Sequence, residues 1–292
     1  MKLSIEARAD LALAGVALLW GGTFVLVKAA LDDISSLVYL ALRFALAGVL
    51  LLWYFRRAPI FRMPAKAYLI TALVGGLLIT GYIFQTIGLK TITPAKSAFL
   101  TGLYIPLVPV FGAIIWRKLP LWQEIVGLVL AVGGTAMISW PEQSARIAIG
   151  DWLTIICAVA YACHILALGH FTPQIGLARM TCWQIMFGGL FSAIGSPIIE
   201  KPFWHVTTPT VAAIVVGGVF ATAIAFGLQT WAQQHTSAAR AALIFSLEPV
   251  FAWVVSFLVI GEVLTLRTGF GAALVLAGIL FAELKPQFGK SV

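Results

Sequence analysis

Charge is what this sequence lacks. Only 10% of its 292 residues are Asp, Glu, Lys or Arg, against about a quarter in a water-soluble globular domain. In their place 61% of the residues are hydrophobic and the mean hydropathy is +1.01. In water such a chain would expose apolar patches far larger than ordinary protein surfaces carry, whereas lipid solvates an apolar exterior. Acids and imidazoles are scarcest, at 11 and 4. They fall mostly in loops or at segment ends, with no nucleophile–base pair and no metal-ligand spacing, which argues against an intramembrane enzyme and against a resident metal. The three cysteines, Cys157, Cys163 and Cys182, sit in or at the ends of apolar segments. An odd number at that spacing builds neither a disulfide framework nor a metal site, so they read as small apolar packers. No Gly-x-x-x-x-Gly-Lys-Ser/Thr loop is present, so ATP-driven pumping by this chain is unsupported and no cofactor is expected. Also missing are a polar stretch long enough for a soluble domain and the apolar/polar alternation that a membrane β-barrel requires.

What the chain does have is apolar runs. Windows bounded by charge, Pro or Gly fall at 11–31, 36–55, 67–89, 95–116, 121–139, 152–170, 179–199, 210–232, 238–260 and 265–284. Each approaches the roughly 20 residues that a spanning helix needs. The expected fold is therefore an all-α membrane protein of ten transmembrane helices, multi-pass in the cell (inner) membrane. The first window is longer than the apolar core of a cleaved signal and is read as a retained helix. Basic residues supply the orientation. With the N-terminus inside, Lys2, Arg8, Arg56, Arg57, Arg62, Lys66, Arg117, Lys118, Arg179, Arg240, Lys285 and Lys290 lie inside, and Lys28, Lys90, Lys96, Arg146, Lys201 and Arg267 lie outside. Both termini are thus expected in the cytoplasm. The net charge of +8 is topogenic and not a nucleic-acid footprint, because it is distributed between the apolar segments. Trp53, Trp116, Trp122, Trp140, Trp152 and Trp204 stand near segment ends and read as interface anchors.

The chain also repeats itself. Gly75-Gly76 matches Gly217-Gly218, Gln85-Thr86 matches Gln229-Thr230, Pro106 matches Pro249, Gly127 matches Gly271 and Gly134 matches Gly278. The order is kept at a nearly constant offset equal to five helices. Because five is odd, the second half must enter the membrane from the opposite side. The expected organisation is a first five-helix repeat over 1–140 and an inverted second repeat over 141–292. Inverted repeats are typical of secondary transporters, whose substrate sites lie near the midplane between them.

Trp20-Gly21-Gly22-Thr23-Phe24, Lys28 and Leu42-Arg43-Phe44 resemble the first helical pair of the EamA-type transporters of the drug/metabolite transporter superfamily. Leu247-Glu248-Pro249-Val250 and Gly261-Glu262-Val263-Leu264-Thr265 resemble the end of that family's second repeat. The first repeat departs from the pattern, with Arg117-Lys118 in place of Gly261-Glu262 and Ile105 in place of Glu248, so any role of those acids is not duplicated. The resemblance implies ten helices, a central cavity and export of small metabolites, including amino acids and aromatic ones among them. Exporters of other small metabolites and drugs of the same superfamily are the nearest alternative. A channel would need a ring of repeated polar groups, which two unlike halves do not supply. The expected functional unit is a monomer whose partners are a small-molecule substrate and the lipid bilayer, with a proton as a candidate coupling ion and no nucleic acid.

Polar groups inside a bilayer are costly and face a cavity or a partner helix. Gln85 and Gln229, at equivalent positions, present amides able to hold a zwitterion; the alternative is a helix–helix hydrogen bond. Trp20, Tyr82, Phe99, Tyr104, Tyr161, Trp231 and Phe245 lie away from the interfacial belts or near a cavity end and are candidates for an aromatic cavity wall, with core packing or lipid contact as the alternative for each. Thr23, Thr101 and His164 complete the substrate-contact set, with His164 also readable as a packing residue. Glu248 is the most deeply placed acid and the candidate for proton coupling, against a structural hydrogen bond beside Pro249. Pro106 and Pro249 interrupt helices at equivalent positions and are candidate gating hinges. Lys28 and Arg43 are expected to snorkel to headgroups, with pairing to a substrate carboxylate or to an acid of another helix as the alternative.

Overall fold

The computed structural model describes residues 4–117, 122–139 and 148–283. The expectations for Lys2, Lys118, Trp140, Arg146, Lys285 and Lys290 lie outside the described residues. Every apolar window forms a helix. Eight are long and apolar enough to cross a membrane: α1 (Ile5–Ala30), α2 (Ser36–Tyr54), α3 (Ala65–Leu89), α4 (Pro94–Ile115), and then, after a shorter helix, α6 (Ile149–Ile175), α7 (Leu177–Ile199), α8 (Thr208–Ala232) and α9 (Arg240–Ile260). The two others, α5 (Trp122–Ser139) and α10 (Leu266–Glu283), hold the shorter apolar stretches Ile125–Ile138 and Leu266–Gly278. Among the described residues the only β pairing is the single bridge between Ile34 and Trp204.

The surface reverses the usual polarity of a globular protein. Ile198 and Leu266 are 76% and 85% exposed, while Arg43, Gln229 and Glu248 are buried. Lipid is the solvent that makes this arrangement favourable. Trp53, Trp116, Trp122, Trp152 and Trp204 are exposed near helix ends, as interface anchors require.

Helix breaks follow from the sequence. α4 is split into Pro94–Thr101 and Tyr104–Ile115; the helix of α9, which begins at Ala238 just before its apolar span, is split into Ala238–Phe245 and Leu247–Ile260. A proline lacks the N–H for, and its ring clashes with, the carbonyl four residues earlier. For Pro106 that carbonyl belongs to Gly102 and for Pro249 to Phe245, and the first segment of each helix ends at that point.

Glycines bring the helices close. A Cβ added to Gly271 would lie 2.7 Å from the Gly134 carbonyl oxygen, and one added to Gly278 would lie 2.5 Å from that of Gly127. Each glycine of one repeat therefore sits against a glycine of the other, and α5 and α10 touch backbone to backbone. Two large hydrophobic cores result, beside a smaller one of Ala67, Val74, Leu168, Ile175 and Met180. Of the two large cores, one gathers residues of α1, α4, α5, α6, α8, α9 and α10; the other gathers residues of α1, α2, α3, α4, α7, α8 and α9. Trp20 and Tyr161 pack against both, at the junction where the cavity opens.

Polar side chains fasten the helix ends. Glu200 accepts from the Leu37 and Val38 amides at 2.8 and 3.3 Å, capping the start of α2. Glu262 accepts from the Ala95 amide at 3.3 Å, at the start of α4, and from the Ser256 hydroxyl. Such carboxylates meet the unpaired N–H groups and the positive end of the helix dipole. Lys28 does not snorkel. Its ammonium donates to the carbonyls of Leu89, Lys90 and Ile92 at 2.7, 2.8 and 3.2 Å, closing the C-terminal end of α3.

Candidate functional site

Between the two cores lies a cavity of about 50 Å³ lined by seven helices. α1 contributes Trp20 and Thr23, α3 Tyr82 and Gln85, α4 Tyr104, α6 Tyr161 and His164, α8 Phe226 and Gln229, and α9 Glu248. α2 contributes Arg43. Nine of the residues expected from sequence thus converge: Trp20, Thr23, Tyr82, Gln85, Tyr104, Tyr161, His164, Gln229 and Glu248. Small-molecule sites commonly run to several hundred Å³, so this cavity is closed down, with space for a few waters at most.

Its walls are aromatic and connected. Trp20 leans on Phe226 and Phe245 with ring centroids 5.2 and 5.0 Å away. Tyr82, Tyr161 and Tyr104 form a row of edge-on rings at 5.5 and 6.2 Å. The row ends on a guanidinium and a carboxyl group: Tyr82 OH accepts from Arg43 Nη2 at 3.1 Å, and Tyr104 OH donates to Glu248 Oε2 at 3.1 Å.

Arg43 does not reach the headgroups. It is 3% exposed and points into the protein, where its Nε donates to Thr222 Oγ1 at 2.6 Å, its Nη1 to Tyr39 OH at 3.4 Å and its Nη2 also to the Ala221 carbonyl at 3.0 Å. Its guanidinium carbon lies 4.6 Å from the Tyr82 ring centroid, close enough for a cation–π contact. Inward burial wins over snorkelling because Gly217 and Gly218 let α8 approach the Arg43 backbone and side chain, bringing acceptors within reach.

The acceptors come from a feature the sequence did not announce. α8 is α-helical over Thr208–Gly218, π-helical over Val219–Ile224 and α-helical again over Ala225–Ala232. The Ala221 carbonyl within the wide turn accepts from both Trp20 Nε1, at 2.9 Å, and Arg43. Single π-turns inside α-helices recur at functional sites. The signal that was available was a lone arginine inside a membrane segment, which the cost of burying charge marks as functional by default.

Other expected residues sit behind the wall. Thr101 is fully buried and accepts from Gln85 Nε2 at 3.1 Å. Phe245 supports Trp20 from behind, and Phe99 is packed in the first core. Their helices approach the cavity, but the breaks before Pro106 and Pro249 turn these positions away from it. Neither proline lines the cavity.

The two glutamines, equivalent in sequence, differ in state. Gln85 is occupied by Thr101 and by the Tyr161 hydroxyl, which donates to its Oε1 at 3.3 Å. Gln229 Oε1 is buried and has no donor. His164 Nε2 lies 2.9 Å from Gln184 Oε1, and Gln184 Nε2 donates to Thr230 Oγ1 at 3.1 Å, so the imidazole is both held by α7 and open to the cavity.

Helices too apolar for water, closing on a cavity with one guanidinium, one carboxyl group and aromatic walls, define a multi-pass membrane protein built to handle a small solute. The sequence profile of the EamA-like transporter family matches residues 7–140 and again 148–284. The chain belongs to this family, a branch of the drug/metabolite transporter superfamily, and is a transporter and not an enzyme. An uncharacterized transporter of Archaeoglobus fulgidus is 31% identical over 282 residues, covering 95% of this chain and 86% of the relative. A probable terminal-alkyne amino-acid exporter of Streptantibioticus cattleyicolor is 26% identical, covering 96% and 94%. An S-adenosylmethionine/S-adenosylhomocysteine transporter of Chlamydia muridarum is 24% identical, covering 84% and 82%. A crystal structure 18% identical in sequence superposes with a TM-score of 0.72, covering 94% of this chain and 96% of that one, and so shares its fold.

Proposed function

We propose that this protein exports small metabolites, amino acids including aromatic ones, across the inner membrane by alternating access. All ten helices span the bilayer, both termini are cytoplasmic, and residues 1–140 and 141–292 form inverted repeats whose exchange of conformations opens one mouth of the cavity as it closes the other. The observation that carries this reading is the closed cavity itself, aromatic, studded with a few buried polar groups and formed by helices of both halves. The reciprocal glycine contacts of α5 with α10 are what a pseudo-twofold relation between halves produces. The relative named as an amino-acid exporter supports the substrate class. The relative named for S-adenosylmethionine and S-adenosylhomocysteine favours a second reading, export of another small metabolite. Protein reconstituted in liposomes is expected to move labelled amino acids; flux of none of them removes the substrate class.

The gate is the pair of proline breaks. In both α4 and α9 the break is the flexible point between a segment that carries cavity residues and one that does not. Replacing Pro106 and Pro249 together with Ala allows the helical ladders to close and is expected to slow turnover several-fold, roughly as lid and hinge changes do, while substrate affinity changes little. Equal turnover in the double variant would remove the hinges from the mechanism.

A further inference from the structure

Two ion pairs join distant parts of the chain, one at each end of the helix bundle. Arg240 of α9 pairs with Asp10 of α1 at 2.6 Å. Lys96 of α4 pairs with Asp151 of α6 at 2.9 Å. α1 places the two pairs at opposite ends. Asp10 stands near its start and Lys28 near its end, about 27 Å apart along the axis at roughly 1.5 Å per residue. The Lys28 ammonium holds the Leu89, Lys90 and Ile92 carbonyls, and that stretch leads into the start of α4, where Lys96 lies. The cavity is between the pairs.

The pairs are equivalent. Lys96 and Arg240 are each the third residue of a helix, and each donates its backbone N–H to a capping hydroxyl, of Thr93 at 3.3 Å and of Ser237 at 3.1 Å. Each stands eight residues before a cavity group, Tyr104 and Glu248 respectively. Asp10 and Asp151 each stand ten residues before a cavity aromatic, Trp20 and Tyr161, the two residues that pack against both large cores. The sense of charge is also kept: the cation is on the fourth helix of one half and the acid on the first helix of the other. Each pair therefore spans the boundary between residues 1–140 and 141–292. A chance surface pair has no reason to recur at the matching place on the opposite end. The surroundings differ. The side chains of Arg240 and Asp10 are 59% and 26% exposed, those of Lys96 and Asp151 24% and 0%, and Asp151 also accepts from the Ala148 amide at 3.2 Å.

We infer that these pairs are the latches of the two mouths, Arg240–Asp10 at the end that carries the N-terminus and Lys96–Asp151 at the opposite end, and that one of them parts each time the cavity opens. Each pair joins a helix of one half to a helix of the other, so a movement of the halves that opens a mouth separates the charges at that mouth. Both latches are closed here, in agreement with a cavity of about 50 Å³. The proline breaks of α4 and α9 lie further along the same helices and supply the hinges; the ion pairs supply the holding force. The latches are unequal. An exposed pair contributes little, whereas parting a pair with a buried member is expensive, so the mouth at the N-terminal end opens more readily. This inference rests on the reading of two halves in alternating access. The competing role is a static tie between helix ends.

The test is the sidedness of access to the cavity. Thr23→Cys, at a lining position, is introduced into the full-length protein and labelled with a membrane-impermeant thiol reagent in sealed membrane vesicles of either orientation. Labelling of the same protein without the added cysteine is subtracted. Asp10→Asn and Arg240→Gln should each raise the labelling rate from the N-terminal face roughly two- to fivefold, as loss of an exposed pair does, and lower it from the other face. Lys96→Gln should shift access the opposite way by about tenfold or more, since its partner is buried. Arg240→Lys and Lys96→Arg keep the charges and should label as the parent does. The exchange of Asp10→Arg with Arg240→Asp should restore the parent ratio that either neutral variant disturbs. Static ties would instead lower the melting temperature of the neutral variants with no opposed shift in sidedness, and that result overturns the inference. So does a cavity labelled from both faces at rates that no variant changes, although alternating access then stands. Labelling from one face only, or from neither, in every protein removes alternating access itself and the latches with it.

Discussion

Glu248→Gln is expected to abolish accumulation of solute against its gradient while leaving exchange of solute for solute intact. Glu248 is the sole acid of the cavity lining, and its carboxyl group faces α4 through Tyr104. A group that gives up its proton to one face and regains it from the other while the solute moves the opposite way makes transport uphill. With one proton per solute, a gradient of one pH unit supports about tenfold accumulation, since one unit is 1.36 kcal/mol. Gln keeps the shape and still accepts from Tyr104, so the helices should pack as before; it cannot lose a proton. In liposomes with an imposed pH gradient, the wild type should accumulate labelled solute and the variant should stop at equilibration, with counterflow rates within a few-fold of each other. Wild-type flux that ignores the gradient would remove the proton from the mechanism. A Glu248→Gln protein that still follows the gradient would place coupling at another group.

The second large effect is steric. A Cβ added at Gly21 would stand 2.5 Å from the Glu248 carbonyl oxygen and 2.9 Å from the Ala252 nitrogen. Both are backbone atoms, so no rotamer change relieves the clash, and α1 must move away from α9. Overpacking of this kind costs about 1–3 kcal/mol for a small side chain. Gly21→Val should therefore lower the melting temperature and eliminate transport, because it displaces the helix turn that carries Glu248 and loosens Trp20, one residue away, from Phe245. Gly22 is the control. Nothing lies within 4 Å of an added Cβ there, and Gly22→Ala should be neutral or gain up to about 1 kcal/mol from helix propensity. Equal stability of Gly21→Val and the wild type would contradict the close packing of α1 on α9.

Much of the fold was legible because the bilayer is a severe selector. Only long apolar helices survive in it, so the windows from 36–55 to 238–260 could be placed from hydropathy alone. Pro106 and Pro249 likewise announced their breaks, because the loss of an N–H and the clash four residues back are local events, whereas Pro109, Pro173 and Pro197 are accommodated inside unbroken helical segments. Nine cavity residues could be named because polar and aromatic side chains in mid-membrane have few other places to go. What failed was direction. Arg43 was expected at the headgroups since a long side chain near a helix end reaches water easily. It turned inward because Gly217 and Gly218, remote in sequence, bring α8 against it. Gln85 and Gln229 looked alike because repeats preserve residue type, yet Gln85 meets Thr101 and Tyr161 while Gln229 Oε1 meets nothing. Phe99, Thr101 and Phe245 were placed on the wrong side of the wall since hydropathy carries no angular register once a helix is broken.

The sequence by itself determined the solvent of this protein, the places along the chain where apolar helices form and the short list of groups that could meet a solute. Those follow from transfer free energies and backbone chemistry acting within a few residues. Tertiary structure decided which of those groups face one another: that a π-turn of α8 offers the Ala221 carbonyl to Trp20 and Arg43 together, that three tyrosines separate a cation from an acid, and that one glutamine of an equivalent pair is left open. Those outcomes depend on contacts between helices far apart along the chain, where a one-residue rotation about a helix axis turns a cavity group into a packing one.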